Sequence, residues 1–168
     1  MRVDCFELSE YILGLGFAQL LIREGSKSMY KIGVLDDDEN WCLIIERFLR
    51  KDFEVHIYKT VFTFLQEIES YDLLIIDFSI PPAPYERGMD GCEIINHIKN
   101  DFINPPLLVL ATGFISANEL EFGREICPEA DAFLSKDAGL DIILNEIKRL
   151  LNSKDSDASN RAIANPPS

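Results

Sequence analysis

Acidic, hydroxyl and amino side chains follow short apolar runs of this sequence, at the point where each run ends. They are Asp36, Asp37 and Asp38 after KIGVL, Asp77 after LLII, Thr112 after the run that begins at Leu107, and Ser135 with Lys136 after AFL. Clustered carboxylates raise each other's pKa, and a hard cation such as Mg²⁺ relieves their repulsion. A lysine can supply counter-charge, and a hydroxyl can donate to a phosphoryl oxygen. Because carboxylates serve as nucleophiles in aspartyl-phosphate chemistry, the set suits phosphoryl transfer to a carboxylate.

The elements that must position these side chains alternate between strand and helix. The predicted strands are Lys31–Leu35, Glu54–Tyr58, Leu73–Ile76, Leu107–Leu110 and Ala132–Leu134. The predicted helices are Trp41–Arg50, Val61–Glu69, Cys92–Lys99, Ser116 to about Arg124, and Leu140–Leu151. Continuous apolar strands are expected where helices cover both faces of a sheet, so we predict an α/β fold with a doubly wound, five-stranded parallel sheet. Ligands of such folds bind beyond the carboxyl ends of the strands.

Helix caps offer a plainer explanation for part of the acidic cluster. One aspartate, Asp38, is placed to cap the first helix, but capping does not account for three acids at the end of a buried strand. Asp90 with Glu93 resembles a capping box, as does Ser116 with Glu119, and Thr60 is a candidate cap for the second helix. A metal site therefore explains Asp36 and Asp37 better than capping does.

Five short segments, in order and at predicted strand ends, resemble the response-regulator receiver family of CheY-like proteins. They are LDDDE (35–39), LLIIDFSIP (73–81), GMDG (88–91), ATGF (111–114) and ADAFLSKD (130–137). Each is weak by itself, but their joint occurrence over residues 30–152 is specific. The resemblance implies a flavodoxin-like fold with a phosphoacceptor site.

The resemblance also implies a role for individual residues. Asp77 matches the phosphoacceptor, and Asp36 and Asp37 match the acidic pair, with Asp37 preferred as a direct Mg²⁺ ligand. The implied magnesium ligands are Asp36, Asp37, Asp77 and the backbone carbonyl of Ser79. The remaining matches are Lys136 as the conserved-type lysine, Thr112 as the switch hydroxyl and Phe133 as the aromatic that changes rotamer.

Partners follow from the same resemblance. The phosphoryl group would come from a histidine on a kinase or a histidine phosphotransfer protein. A downstream protein would read the surface formed by the fourth helix, the fifth strand and the fifth helix. About 17 polar residues follow Leu151, so we expect a stand-alone receiver with no DNA-binding output domain. The expected role is that of a signalling acceptor in two-component or phosphorelay transduction, not an enzyme beyond its own phosphorylation and dephosphorylation.

Three departures from the family pattern leave questions open. The loop after Asp77 is extended by Pro82–Arg87, which could reshape the docking mouth. Asp137 follows Lys136 where the family often has proline. The fourth strand can be aligned in two registers, which place either Thr112, the preferred choice, or Ala111 at the switch position.

Two other functions compete with this hypothesis. A pseudo-receiver would keep the fold and bind partners without being phosphorylated. An aspartate-nucleophile phosphatase would need a second aspartate two residues after the nucleophile as general acid, and Ser79 occupies that position.

Composition excludes further classes of protein. A net charge of −13 and a pI near 4.5 disfavour direct binding to nucleic acid or to anionic lipid. The four cysteines, Cys5, Cys42, Cys92 and Cys127, form no CxxC pair and are typical of reduced residues in a cytoplasmic protein. The longest apolar stretch, Tyr11–Ile22, is too short to span a bilayer, which takes roughly 20 residues.

The termini are predicted to lie outside the domain. Residues 1–29 form an extension, either an amphipathic helix that docks on the domain, on a partner or on a second copy as a dimer, or a segment added by an upstream start. Residues 153–168 are small and polar, and we predict a disordered tail.

Overall fold

A computed structural model describes residues 29–82, 88–113 and 120–164, except for the side chains at 120–122 and 157–164. The strands are β1 (Lys31–Leu35), β2 (Glu54–Tyr58), β3 (Leu73–Asp77), β4 (Leu107–Thr112) and β5 (Ala132–Ser135). The helices are α1 (Glu39–Leu49), α2 (Val61–Leu65), α3 (Gly91–Asp101), α4 (Leu120–Ile126) and α5 (Leu140–Ala164), with a 3₁₀ turn at Ile68–Ser70.

The strands form one parallel sheet in the order β2-β1-β3-β4-β5. Alternate strand residues face two separate apolar clusters, one on each side of the sheet. The first cluster packs beneath α1 and α5, through residues such as Ile45 and Ile147. The second packs beneath α2 and α3, through Phe64 and Ile94 among others. The predicted fold class is confirmed, and the strand order reverses between β1 and β3, where a site is expected.

Three strands extend further than their apolar runs predicted. β3 ends at Asp77, β4 at Thr112 and β5 at Ser135, each one or two residues beyond the predicted end. Polar residues are poor strand predictors, but here the ladder continues through them, as in the pairing of Asp77 with Ala111. The sheet therefore holds the backbone of these side chains directly.

Two of the predicted caps are present. The Asp38 carboxylate accepts hydrogen bonds from the backbone amides of Asn40 and Trp41, at 2.9 and 3.1 Å. Asp90 and Glu93 form the reciprocal capping box at the start of α3. These caps fix the start of α1 shortly after β1 and the start of α3 after the loop that follows β3.

The second predicted helix is wrong in detail. The Thr60 side chain makes no cap hydrogen bond and instead lies 2.7 Å from the Thr63 hydroxyl. The helix predicted for Val61–Glu69 divides into α2 and the 3₁₀ turn, since four of the five residues of α2 are aromatic or β-branched and hold a helix weakly. The second capping-box prediction, Ser116 with Glu119, lies outside the described residues.

The last helix corrects the prediction of a disordered tail from residue 153. α5 continues to Ala164, because no glycine or proline interrupts the sequence before Pro166. Its continuation is tied to the domain: the Lys154 amino group lies 3.3 Å from the carbonyl of Asp72, and the Tyr30 hydroxyl donates to Asp155. The helix bears only on the predicted disorder, and the domain boundaries after residues 29 and 152 stay predictions.

Other predictions fall partly outside the described residues. The extension up to residue 28, including Cys5, and residues 83–87 of the proline-rich loop are among the residues left undescribed. Cys42, Cys92 and Cys127 are free thiols. Within the described ranges, no helix combines the length and the apolar character needed to cross a bilayer.

Candidate functional site

The buried polar and charged residues of the described chain all lie at the carboxyl end of the sheet. They are Asp36 after β1, Asp77 at the end of β3, Thr112 at the end of β4 and Ser135 at the end of β5. Burying such groups costs free energy unless they are paired or hydrogen-bonded. Four of them at one edge of the sheet mark a site that packing alone does not explain.

Lys136 joins two of these strand ends through a pair of short ionic contacts. Its amino nitrogen lies 2.6 Å from Oδ2 of Asp36 and 2.8 Å from Oδ1 of Asp77. The Lys136 side chain is only 14% exposed, so these contacts are shielded from solvent far more than surface pairs are. Each carboxylate also accepts a backbone hydrogen bond, Asp36 from Asp38 at 2.9 Å and Asp77 from Ser79 at 3.2 Å. The lysine bridges two carboxylates that would otherwise repel each other.

The electrostatics of this pair follow from burial and charge. Burial raises the pKa of Asp36, and the hydrogen bond from Lys136 only partly opposes that rise. Burial alone would lower the pKa of Lys136, but its hydrogen bonds to Asp36 and Asp77 outweigh it, so the pKa is raised. Lys136 is therefore a firmly charged ammonium at neutral pH, beside a carboxylate whose ionised form is costly.

Three carboxylates at this edge are close enough to share one cation. Asp36, Asp37 and Asp77 each offer an oxygen atom, and these atoms lie within 4.8 Å of one another. Asp37 is exposed while the other two are buried, so an ion there would remain open to water on one side. A cluster of oxygen donors open to water fits Mg²⁺, which keeps several waters when it binds protein.

Gly91, the last residue of the GMDG segment, is a residue of the site for which the sequence predicted no role. A Cβ atom built on Gly91 would lie 2.3 Å from the carbonyl oxygen of Asp77 and 2.9 Å from the Leu110 side chain. The Gly91 amide also donates to the carbonyl of Phe78 at 2.9 Å. Only glycine lets α3 begin against the end of β3. Its place directly after the capping Asp90 was the available signal.

The two candidates for the switch position lie on opposite faces of β4. Ala111 belongs to the apolar cluster beneath α1 and α5, whereas Thr112 pairs in register with Ser135 on β5. Thr112 is 2% exposed, and its carbonyl accepts from the amide of Lys136 at 2.9 Å. The Ser135 hydroxyl is equally buried and has no hydrogen-bond partner. These positions favour Thr112, although its role as the switch hydroxyl stays a prediction.

Phe133, the predicted mobile aromatic, lies inside the second apolar cluster and is 9% exposed. Its ring packs against α4 at Gly123, where a Cβ atom would approach Cδ1 of the ring to 2.5 Å. No sequence pattern marks Gly123 as a neighbour of this ring. The close contact means that any change in the Phe133 rotamer would be felt by α4.

Trp41 occupies a position that the sequence did not reveal. It packs at the edge of the first apolar cluster, but the Lys136 amino nitrogen also lies 5.1 Å from the centre of its ring. That distance is within the range of a cation–π contact. Two acidic side chains and one aromatic ring thus surround the lysine.

Comparison with solved structures identifies the architecture. No protein-family model matches the chain, and no curated protein matches it in sequence. The signal receiver domain of a LuxO repressor protein from Vibrio parahaemolyticus superposes with a TM-score of 0.64 at 17% identity, covering 77% of this chain and 95% of that one. A BeF3-activated DrrB receiver domain gives 0.60 at 27% identity over 74% and 98%.

A CheY-like receiver domain from Methanospirillum hungatei gives a TM-score of 0.62 at 24% identity and covers 77% of this chain and 99% of that one. In each case nearly the whole of the solved domain is matched. The chain therefore has the fold of the CheY-like response-regulator receiver domains.

Proposed function

We propose that this chain is a phosphoacceptor receiver of a two-component or phosphorelay system and that Asp77 carries the phosphoryl group. The observation that supports this most strongly is the double contact of Lys136 with Asp36 and Asp77 at the switch point of a receiver-like sheet. The structure thus joins residues that are 100 positions apart in sequence into one charged site.

The chain's own carboxylates would hold the metal. Asp36, Asp37 and Asp77 supply oxygens within 4.8 Å of one another, and the backbone carbonyl of Ser79 is the proposed fourth protein ligand. When bound, Mg²⁺ would supply charge neutralisation for the carboxylates and the phosphoryl oxygens.

The proposed chemistry is an in-line displacement at phosphorus. A carboxylate oxygen of Asp77 forms the new P–O bond while the P–N bond to a partner's phosphohistidine breaks, and the imidazole leaves with the bonding electron pair. Lys136 is placed 2.8 Å from Asp77 and can follow the charge onto a phosphoryl oxygen. A histidine kinase or histidine phosphotransfer protein is the proposed donor.

Thr112 and Phe133 are the proposed route from the site to a partner. Thr112 would donate to the phosphoryl group, and Phe133, which packs on Gly123 of α4, would change rotamer in response. A downstream protein would then read the surface of α4, β5 and α5. Location in the cytoplasm follows from this role and is part of the proposal.

The test is labelling with a small phosphodonor. Wild-type protein incubated with Mg²⁺ and acetyl phosphate is expected to gain one phosphate by intact mass, in an acid-stable and base-labile form. Asp77→Asn should gain none. Asp38→Asn is the matched control, since asparagine caps a helix as well as aspartate does and Asp38 lies outside the three-carboxylate cluster. It should be labelled like the wild type.

Each competing function predicts a different result. A pseudo-receiver gives no adduct on the wild type, and an adduct that survives Asp77→Asn contradicts the assignment of the acceptor. Sustained release of phosphate from many phosphate esters would favour the phosphatase.

A further inference from the structure

The proposed phosphoryl transfer does not require an aromatic ring beside Lys136, yet Trp41 lies there. The Trp41 ring centre lies 5.1 Å from the lysine amino nitrogen, on the first turn of α1. The Trp41 backbone is itself fixed, because its amide donates to the capping carboxylate of Asp38 at 3.1 Å. The acidic segment that follows β1 therefore places both a carboxylate and an aromatic ring against the same ammonium.

A lysine needs such support to act at a fixed point. Its four-carbon side chain has many rotamers, and an ammonium that must meet a phosphoryl oxygen gains from being restricted to few of them. Asp36 and Asp77 already hold Lys136 at 2.6 and 2.8 Å, but Asp77 is the group that would be modified. A ring contact would persist after that carboxylate changes its charge and shape.

We propose that Trp41 is a positioning residue that holds the Lys136 ammonium at the acceptor site through a cation–π contact. This inference rests on the proposed phosphoacceptor function. It assigns to Trp41 a role beyond the apolar packing of α1 on the sheet.

The test is the affinity for beryllofluoride, a phosphoryl mimic, at saturating Mg²⁺, measured by calorimetry. Trp41→Leu removes the aromatic face, whereas Trp41→Phe keeps one. From the size of a shielded cation–π contact, Trp41→Leu should weaken binding about three- to tenfold. Trp41→Phe should stay within about twofold of wild type.

The same pair of variants in a Lys136→Met background separates positioning from packing. If Trp41 acts through the lysine, Trp41→Leu has no further effect on beryllofluoride affinity once the ammonium is gone. Equal affinities for Trp41→Leu and wild type, or the same loss in both backgrounds, would overturn the proposal.

A ligand-free measurement keeps this test separate from the proposed function. Trp41 is the only tryptophan of the chain, so its fluorescence reports on this one position. The emission maximum should differ between wild type and Lys136→Met without any ligand, and identical spectra contradict the contact. Failure of wild type to bind beryllofluoride would count against the receiver function, while the emission comparison would still decide the contact.

Discussion

The charged side chains at the two ends of the sheet differ in their exposure to solvent. At the carboxyl end, Lys136 meets Asp36 and Asp77 in a place that water scarcely reaches. At the amino end, the pair of Lys31 and Glu54 lies 3.4 Å apart with both side chains 45% exposed. Exposed pairs add little to stability, whereas a buried charge is costly to leave without a partner. The comparison indicates that only the carboxyl end of the sheet keeps its charged groups in an energetically costly, buried arrangement.

The largest effect on stability should come from removing the buried cation. Lys136→Met leaves two buried carboxylates without counter-charge, and we expect the free energy of unfolding to fall by about 3 kcal/mol. Lys148→Met is the matched control, since its amino group lies 2.7 Å from Asp52 in an exposed pair. It should cost less than about 1 kcal/mol. Urea unfolding of both variants checks this, and equal losses would erase the difference between the two ends.

A smaller loss of stability is expected at Gly91, where the start of α3 packs against the backbone of β3. Gly91→Ala would press a methyl group against the carbonyl of Asp77, so α3 or the end of β3 must move. We expect a cost of about 2 kcal/mol in urea unfolding and a slower reaction with acetyl phosphate. Gly139→Ala provides the control, because nothing lies within 4 Å of a Cβ atom placed there. Normal phosphorylation of the Gly91 variant would show that this contact does not position the acceptor.

Replacing the buried Asp36 should have the opposite effect and increase the free energy of unfolding. Because burial raises the pKa of Asp36, its ionised form opposes folding, and the stability that it contributes when protonated is lost as pH rises through that pKa. Asp36→Asn should therefore gain about 1 kcal/mol at neutral pH. The gain should shrink as the pH falls toward 3.8, the ordinary value, where the wild-type carboxyl is protonated. Urea unfolding at several pH values tests this, and a loss of stability at neutral pH would contradict it.

The smallest effect on stability is expected for Glu54, at the amino end of the sheet. A hydrogen bond from His56 lowers the pKa of the exposed Glu54, with Lys31 adding to that effect. A carboxylate with a lowered pKa stabilises the fold above its ordinary value of 4.5 and loses that effect as the pH falls through the lowered one. Glu54→Gln should leave the urea midpoint at pH 7 unresolved from wild type, and any difference should vanish in acid.

The sequence predicted the parts of this molecule that depend on runs of apolar residues. The continuous run Leu73–Ile76 predicted a central buried strand, and its end predicted where Asp77 would lie. Five such runs were enough for the parallel fold, and the strand ends were enough to gather Asp36, Asp77 and Lys136. The carboxyl ends of parallel strands meet at one edge of the sheet, so the ends of the apolar runs are enough to bring these residues together.

The directions of individual side chains and the close contacts between distant residues could not be predicted from the sequence. The placement of Trp41 over Lys136 depends on how α1 is rotated against the sheet, which no local pattern encodes. The need for glycine at residue 91 arises from a carbonyl 14 positions earlier, brought close only by the fold. The length of α5 was misjudged because its last turns lack an apolar stripe, while Tyr30 and Asp72 contact it from distant parts of the chain.

The path of α5 has a practical consequence for measurement. The helix begins four residues after Lys136 and has 25 residues, so it extends about 37 Å toward and beyond the amino end of the sheet. Ser156, the seventeenth residue of the helix, is exposed and follows Asp155, which accepts from Tyr30 at the amino end of the sheet, the end opposite Asp77. An immobilising group attached at Ser156 would fix the protein to a sensor surface with its acidic rim turned toward the solution, the side from which the proposed phosphodonor protein would approach.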